Sequence, residues 1–254
     1  IQAAHDAGIE VVLLPDAYEE GGPGMDLSTA QQRFVSGGFR RYWERFDQLQ
    51  GMLRSGQSMQ ACVHSLRAVP WDQVQRHVVE AHRRGLKLHV HLEEQPRELA
   101  EIKAAYGAHP VRLLMDSGHP IEHLVGVHMT HTPELQVVEW IERGATILPC
   151  PLTEGDLGDG VPILPDHPRL NQQVALGTDS NLRISMFEEM RRLEHDQRGR
   201  TLRRGALRCG GDAPAEVLWH AASTGGRLAL GLSEPGPSLS INQMHHLLTP
   251  TQDS

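Results

Sequence analysis

Residues 88–94 read Leu-His-Val-His-Leu-Glu-Glu, bringing two imidazoles and a carboxylate within a few positions of one another. On a strand, side chains at i and i+2 share a face, so His89 and His91 point the same way, with His91 nearer the C-terminal end. Glu94 follows where the strand runs out, beside His91. An imidazole next to a carboxylate can hold a metal ion and move protons from a water. Two packed core histidines and a surface glutamate would give the same pattern, so the wider context has to decide. Two later apolar runs also end on groups capable of chemistry: Gly126-Val127-His128, and Leu176-Gly177-Thr178-Asp179-Ser180. An Asp closing an apolar strand is costly to bury unless it meets a cation or a proton donor. The plainer reading of Asp179 is an N-cap for the helix that follows.

These residues must be positioned by a scaffold, and the chain shows one. Short apolar runs alternate with longer helical stretches, the pattern of βα units around a parallel sheet. Strands are predicted at Ile9–Leu14, Ala61–His64, Leu86–Leu92, Leu124–His128, Ala145–Pro149 and Gln173–Gly177. Helices are predicted at 29–53, 72–84, 95–106, 133–143, 186–198 and 213–230. Gly37-Gly38 interrupts the first, and Thr132-Pro133 reads as N-cap and N1 of the fourth. Pro15–Ser28 and Leu152–Pro168 are too rich in Gly and Pro for regular structure. Both follow strands, which in a (β/α)8 barrel places them at the C-terminal face where active sites lie. A closed barrel of this kind has eight strands, and six are visible.

The 254 residues are enough for one barrel of about 250 residues. A net charge of −8 argues against nucleic acid or an anionic membrane as partner. No apolar run approaches the roughly 20 residues of a membrane helix. Three cysteines without a CxxC pattern, and no visible export leader, point to a reducing cytoplasm. A homodimer stays open as an assembly.

The order HxHxxE, then VH, then G-T-D-S resembles the deaminase branch of the metal-dependent amidohydrolase superfamily. That resemblance implies a TIM barrel in which His91 and Asp179 are metal ligands, Glu94 is the general acid/base and His128 polarises the attacking water. It also implies one divalent metal ion, with Zn²⁺ the expected species. Val63-His64-Ser65-Leu66-Arg67-Ala68-Val69-Pro70 resembles the HSLRAVP segment of formiminoglutamate deiminases. Cys150–Gly160 resembles their CPxTExxLGDG loop, and Phe187–Glu194 their EELRWLE helix. By this likeness His64 and Arg67 contact the substrate. The forked Arg67 suits a small dicarboxylate, since guanidinium binds carboxylates bidentately; on residue type alone, a surface salt bridge is the plainer reading. The implied reaction is hydrolysis of N-formimino-L-glutamate to N-formyl-L-glutamate and ammonia, a step of histidine degradation.

The likeness runs from about residue 1 to 236 and leaves 237–254 as a divergent tail. The family's first-strand HxH metal pair has no counterpart here. The expectation is therefore an incomplete barrel, about strands three to eight, truncated at the N-terminus and short of metal ligands. The rivals are a superfamily deaminase acting on a purine, pterin or triazine ring, and a catalytically incompetent fragment.

Overall fold

The computed structural model describes residues 2–233, so the expected tail at 237–254 lies outside the described residues. The apolar runs form short parallel strands: β1 (Val11–Leu13), β2 (Asp16–Ala17), β3 (Gln57–Met59), β4 (Ala61–Val63), β5 (Leu88–Leu92), β6 (Leu124–His128) and β7 (Thr146–Leu148). One sheet has the order β2-β4-β5-β6-β7, and β1 pairs with β3 beside it. The helices are α1 (Gln2–Asp6), α2 (Gly38–Gln50), α3 (Trp71–Arg83), α4 (Pro96–Tyr106), α5 (Pro110–Asp116), α6 (Glu134–Glu142), α7 (Pro151–Leu157), α8 (Leu170–Gln173), α9 (Met186–Thr201), α10 (Pro214–His220) and α11 (Gly226–Ala229), with a π turn over Ala221–Gly225 joining the last two. Crossover helices put protein on the sheet, which is why β6 is buried at every residue and reads as a continuous apolar run until His128. Among the described residues the sheet stays open, in keeping with an incomplete α/β barrel.

β1 and β4 fall within the first two predicted strands, while β2 and β3 lie outside the predicted ranges, each just beyond one of them in the chain; one side chain stands at both breaks. Pro15 has no N–H to continue the ladder. The Tyr42 hydroxyl enters the gap, donating to Pro15 O (2.9 Å) and accepting from Cys62 N–H (3.1 Å).

Four expectations need correcting. The helix predicted over 29–53 begins only at Gly38, because Gly37 (φ 85°) and Gly38 (φ 87°) are left-handed; a short 3-10 turn, Gln32–Phe34, precedes them. Residues 173–177 form a single bridge, Ile147 to Val174, instead of a strand. Ala175 and Gly177 donate to Ile147 O and Pro149 O, but the Leu176 N–H turns to Ala221 O, so no second ladder forms. Leu152–Pro168 contains α7, started by Pro151 at N1 and ended by left-handed Gly158. Thr132 does not cap α6; its hydroxyl donates to Glu93 Oε2 at 2.8 Å.

Two histidines inside this fold make its stability acid-sensitive. His77 is fully buried in a cage of Phe39, Tyr42 and Trp43 rings, and burial pushes it down to about 4. His89 contacts the Ala229 carbonyl, and burial likewise lowers it to about 4. The unfolded chain takes up these protons near pH 6.5 and the folded one does not, so stability is full above pH 6.5 and falls as pH drops toward 4. Keeping each ring neutral costs the folded state on the order of 3 kcal/mol once the pH has fallen to about 4. Calorimetric Tm should fall over that window, and His77→Phe should flatten the slope. An unchanged slope would remove His77 from the account.

Candidate active site

The parallel register brings the predicted residues to one end of the sheet. β4 and β5 pair Val63 with Val90, so His64, just past β4, sits beside His91. β5 and β6 pair His91 with Val127 and Leu92 with His128. Ring centroids are 5.0 Å apart for His64 and His91, and 5.6 Å, nearly parallel, for His91 and His128. Glu93 (φ 53°), His128 (φ 68°) and Met129 (φ 53°) are left-handed non-glycine residues at these strand ends, and Asp179 (φ 50°) is another, in the turn that follows the Ile147–Val174 bridge. Such strain persists only where the surroundings enforce it, and it clusters at functional sites.

His128 is buried between two carboxylates. Its Nδ1 is 3.3 Å from Glu154 Oε1 and its Nε2 is 3.7 Å from Glu94 Oε1. Burial alone pushes the ring down, but the Glu154 hydrogen bond and the charges of Glu94, Glu154 and Asp179 outweigh it and hold the imidazole above its usual value. Glu94 is raised, chiefly by burial; His128 opposes this, while Asp159 and Asp179 add to it. A carboxyl raised toward neutrality beside a proton-holding imidazole is suited to proton transfer.

The donor set matches a borderline divalent cation in type. His91 Nδ1 lies 2.7 Å from the His64 carbonyl, so that nitrogen carries the proton and Nε2 keeps a lone pair. Carbonyl-oriented imidazoles of this kind are the usual zinc ligands. Asp179 does not cap the next helix, since Ser185 does. It is exposed, and its charge acts on His91, Glu94 and His128 together. His91 and Asp179 are two donors where zinc sites use three or four protein ligands. Among the described residues, three donors within 4.8 Å of one another occur only at His82, Glu122 and His123, away from this site.

A cavity of about 100 Å³ opens here, lined by His64, Ser65, Arg67, His91, Glu94, Gln95 and Glu98. Burial, with the charges of His91 and Arg67, lowers His64 to about 4, so it is neutral at pH 7. Arg67 is half-buried and makes no hydrogen bond or ion pair with any described residue. A larger cavity of about 790 Å³, which shares His64, runs outward past Tyr18, Phe34 and Leu13.

Three supporting carboxylates went unassigned in the sequence. Glu154 is fully buried; it orients His128 and accepts the Cys150 N–H at 2.7 Å. It stands in the Cys150–Gly160 segment, which was the available signal. Glu93 takes the Val111 N–H and the Thr132 hydroxyl, and Glu98 takes the Glu94 N–H. Neither carries a sequence signal.

A model of the amidohydrolase family matches residues 2–236. The formimidoylglutamate deiminase of Pseudomonas aeruginosa is 34% identical over 251 residues, which is 97% of this chain and 54% of that protein. The 5-methylthioadenosine/S-adenosylhomocysteine deaminase of Pelotomaculum thermopropionicum is 30% identical over 176 residues, covering 68% of this chain and 39% of that one. The chain thus spans about half the length of the curated relatives it matches, or less. Among solved structures, an amidohydrolase from Brucella melitensis superposes with a TM-score of 0.79 at 28% identity, over 91% of this chain and 51% of that one. A zinc-bound adenosine deaminase from Xanthomonas campestris superposes at 0.70 and 24% identity, over 91% and 50% respectively. The barrel-type sheet, the strand-end site and the matched family model lead to one conclusion: this chain belongs to the amidohydrolase family.

Proposed function

We propose that these residues serve a hydrolytic deaminase acting on N-formimino-L-glutamate. Water adds to the formimino carbon, the C–N bond to the terminal nitrogen breaks, and N-formyl-L-glutamate and ammonia leave. The observation that carries this reading is the uncommitted Arg67 guanidinium in the same small cavity as His64, His91 and Glu94. Carboxylates suit a free guanidinium; a flat purine ring does not require one.

In this reading Glu94 takes a proton from the attacking water and delivers it to the departing nitrogen. His128, its protonated form favoured by the Glu154 hydrogen bond, donates a hydrogen bond to the oxygen as charge develops there. His64 and Arg67 hold the substrate, with Arg67 on a carboxylate. A divalent ion, Zn²⁺ in our reading, would be held by His91 and Asp179 and would lower the pKa of a water to near 7. We place the reaction in the cytoplasm as part of histidine breakdown; Cys62, Cys150 and Cys209, all free and buried, fit a reducing compartment. Among the described residues, no helix is long and apolar enough to cross a membrane.

The test is ammonia release by the protein carrying these residues, compared across formiminoglutamate, adenosine and an aminotriazine. We expect kcat/KM for formiminoglutamate to exceed the ring substrates by about 10²-fold or more. A ring amine turned over as well or better would move the assignment to a ring deaminase.

A further inference from the structure

At the opposite end of the sheet lies a second cluster of metal-ligating side chains that the proposed reaction does not use. We propose that His82, Glu122 and His123 form a separate Zn²⁺ site at the N-terminal face, tying α3 to the turn that starts β6. One donor atom from each residue lies within 4.8 Å of the others.

The local structure prepares each group. Ile121–Leu124 is a turn closed by Leu124 N–H to Ile121 O at 2.8 Å, with Glu122 and His123 at its two central positions. His123 is 8% exposed, and its Nε2 lies 3.0 Å from the Val78 carbonyl, which makes Nε2 the protonated nitrogen. Its Nδ1 therefore holds a lone pair, and that atom is buried without a partner. An orphaned buried nitrogen is costly. A ring oriented through its other nitrogen by a backbone carbonyl is the usual form of a zinc-ligating histidine.

His82 stands in the last turn of α3, where the helix dipole favours positive charge. Its Nδ1 is 3.4 Å from Glu122 Oε1, close to the roughly 3.3 Å between donors on a tetrahedral zinc. Both side chains are about half exposed, free to close the remaining distance and to leave a fourth position for water. Lys87 opposes a dication here, donating to the Glu122 carbonyl at 3.3 Å. Five residue steps along β6 separate His123 from His128, roughly 16 Å at the strand rise, so the two sites do not share ligands.

The test is a Co²⁺ and Zn²⁺ titration of the chain with His91→Ala and Asp179→Ala, which removes the ligands proposed for the active site. The expected result is one Co²⁺ per chain with visible absorption of a tetrahedral N/O site, and a Zn²⁺-dependent rise in Tm of roughly 5 °C at saturation. Adding His82→Ala or Glu122→Gln, both surface changes, should weaken binding at least about tenfold and abolish the Tm rise. Lys87→Met should tighten it. In an otherwise unaltered protein, His82→Ala should leave ammonia release unchanged. Co²⁺ affinity and spectrum unaffected by His82→Ala and Glu122→Gln, or no stoichiometric binding in the His91→Ala, Asp179→Ala background, would overturn the proposal. Neither outcome bears on the deaminase reading.

Discussion

Glu94→Gln is expected to lower kcat for formiminoglutamate about 10³-fold, within the 10²- to 10⁴-fold contributed by a positioned proton-transfer group. Glutamine keeps the size and one acceptor oxygen, so the fold and substrate Kd should stay close to those of the parent. The carboxylate lies 3.7 Å from His128 Nε2, and burial raises its pKa above the ordinary glutamate value. Activity in the parent should therefore rise with pH as Glu94 gives up its proton, on a limb lying above the usual carboxylate range. The variant should lose that limb, with kcat and kcat/KM falling together. A kcat loss below tenfold, with the limb intact, would take the proton shuttle away from Glu94.

Arg67→Met is the second large effect expected. Methionine retains much of the side-chain length and apolar stem but cannot bind a carboxylate. The guanidinium has no partner among the described residues, so its loss breaks no internal hydrogen bond and the folded state should be unharmed. If it holds a substrate carboxylate, kcat/KM falls by about 10²-fold, roughly 2–3 kcal/mol for a charged hydrogen bond. Arg67→Lys should recover only part of this, because a point charge does not reproduce the fork. Metal content should be unchanged in both variants. Full activity in Arg67→Met would leave Arg67 a structural residue and favour a ring substrate.

The convergence of His64, His91 and His128 was legible because it follows from two local rules: side chains on a strand alternate, and barrel sites gather at the strand C-terminal ends. The register pairing Leu92 with His128 carries both rules through. What stayed hidden depends on contacts between distant segments. Glu154 reaches His128 across 26 residues, and no spacing encodes that. Thr132 carries the residue type of an N-cap, yet its hydroxyl is drawn to the buried Glu93. The segment 173–177 has strand composition, but Leu176 finds its partner in the π turn at Ala221. The Gly37-Gly38 break was visible as a weakness, and only the left-handed backbone at both residues makes it the helix boundary.

A site shaped for a linear imine whose carboxylate rests on Arg67 should reveal itself in one thermodynamic cycle. Ammonia release is measured for parent and Arg67→Met with formiminoglutamate and with formimino analogues lacking either the α- or the γ-carboxylate. Arg67→Met should lose about 10²-fold on formiminoglutamate, and almost nothing on the analogue that lacks the carboxylate held by Arg67. An equal loss on all three substrates would contradict that contact, because the arginine would then act without touching a carboxylate.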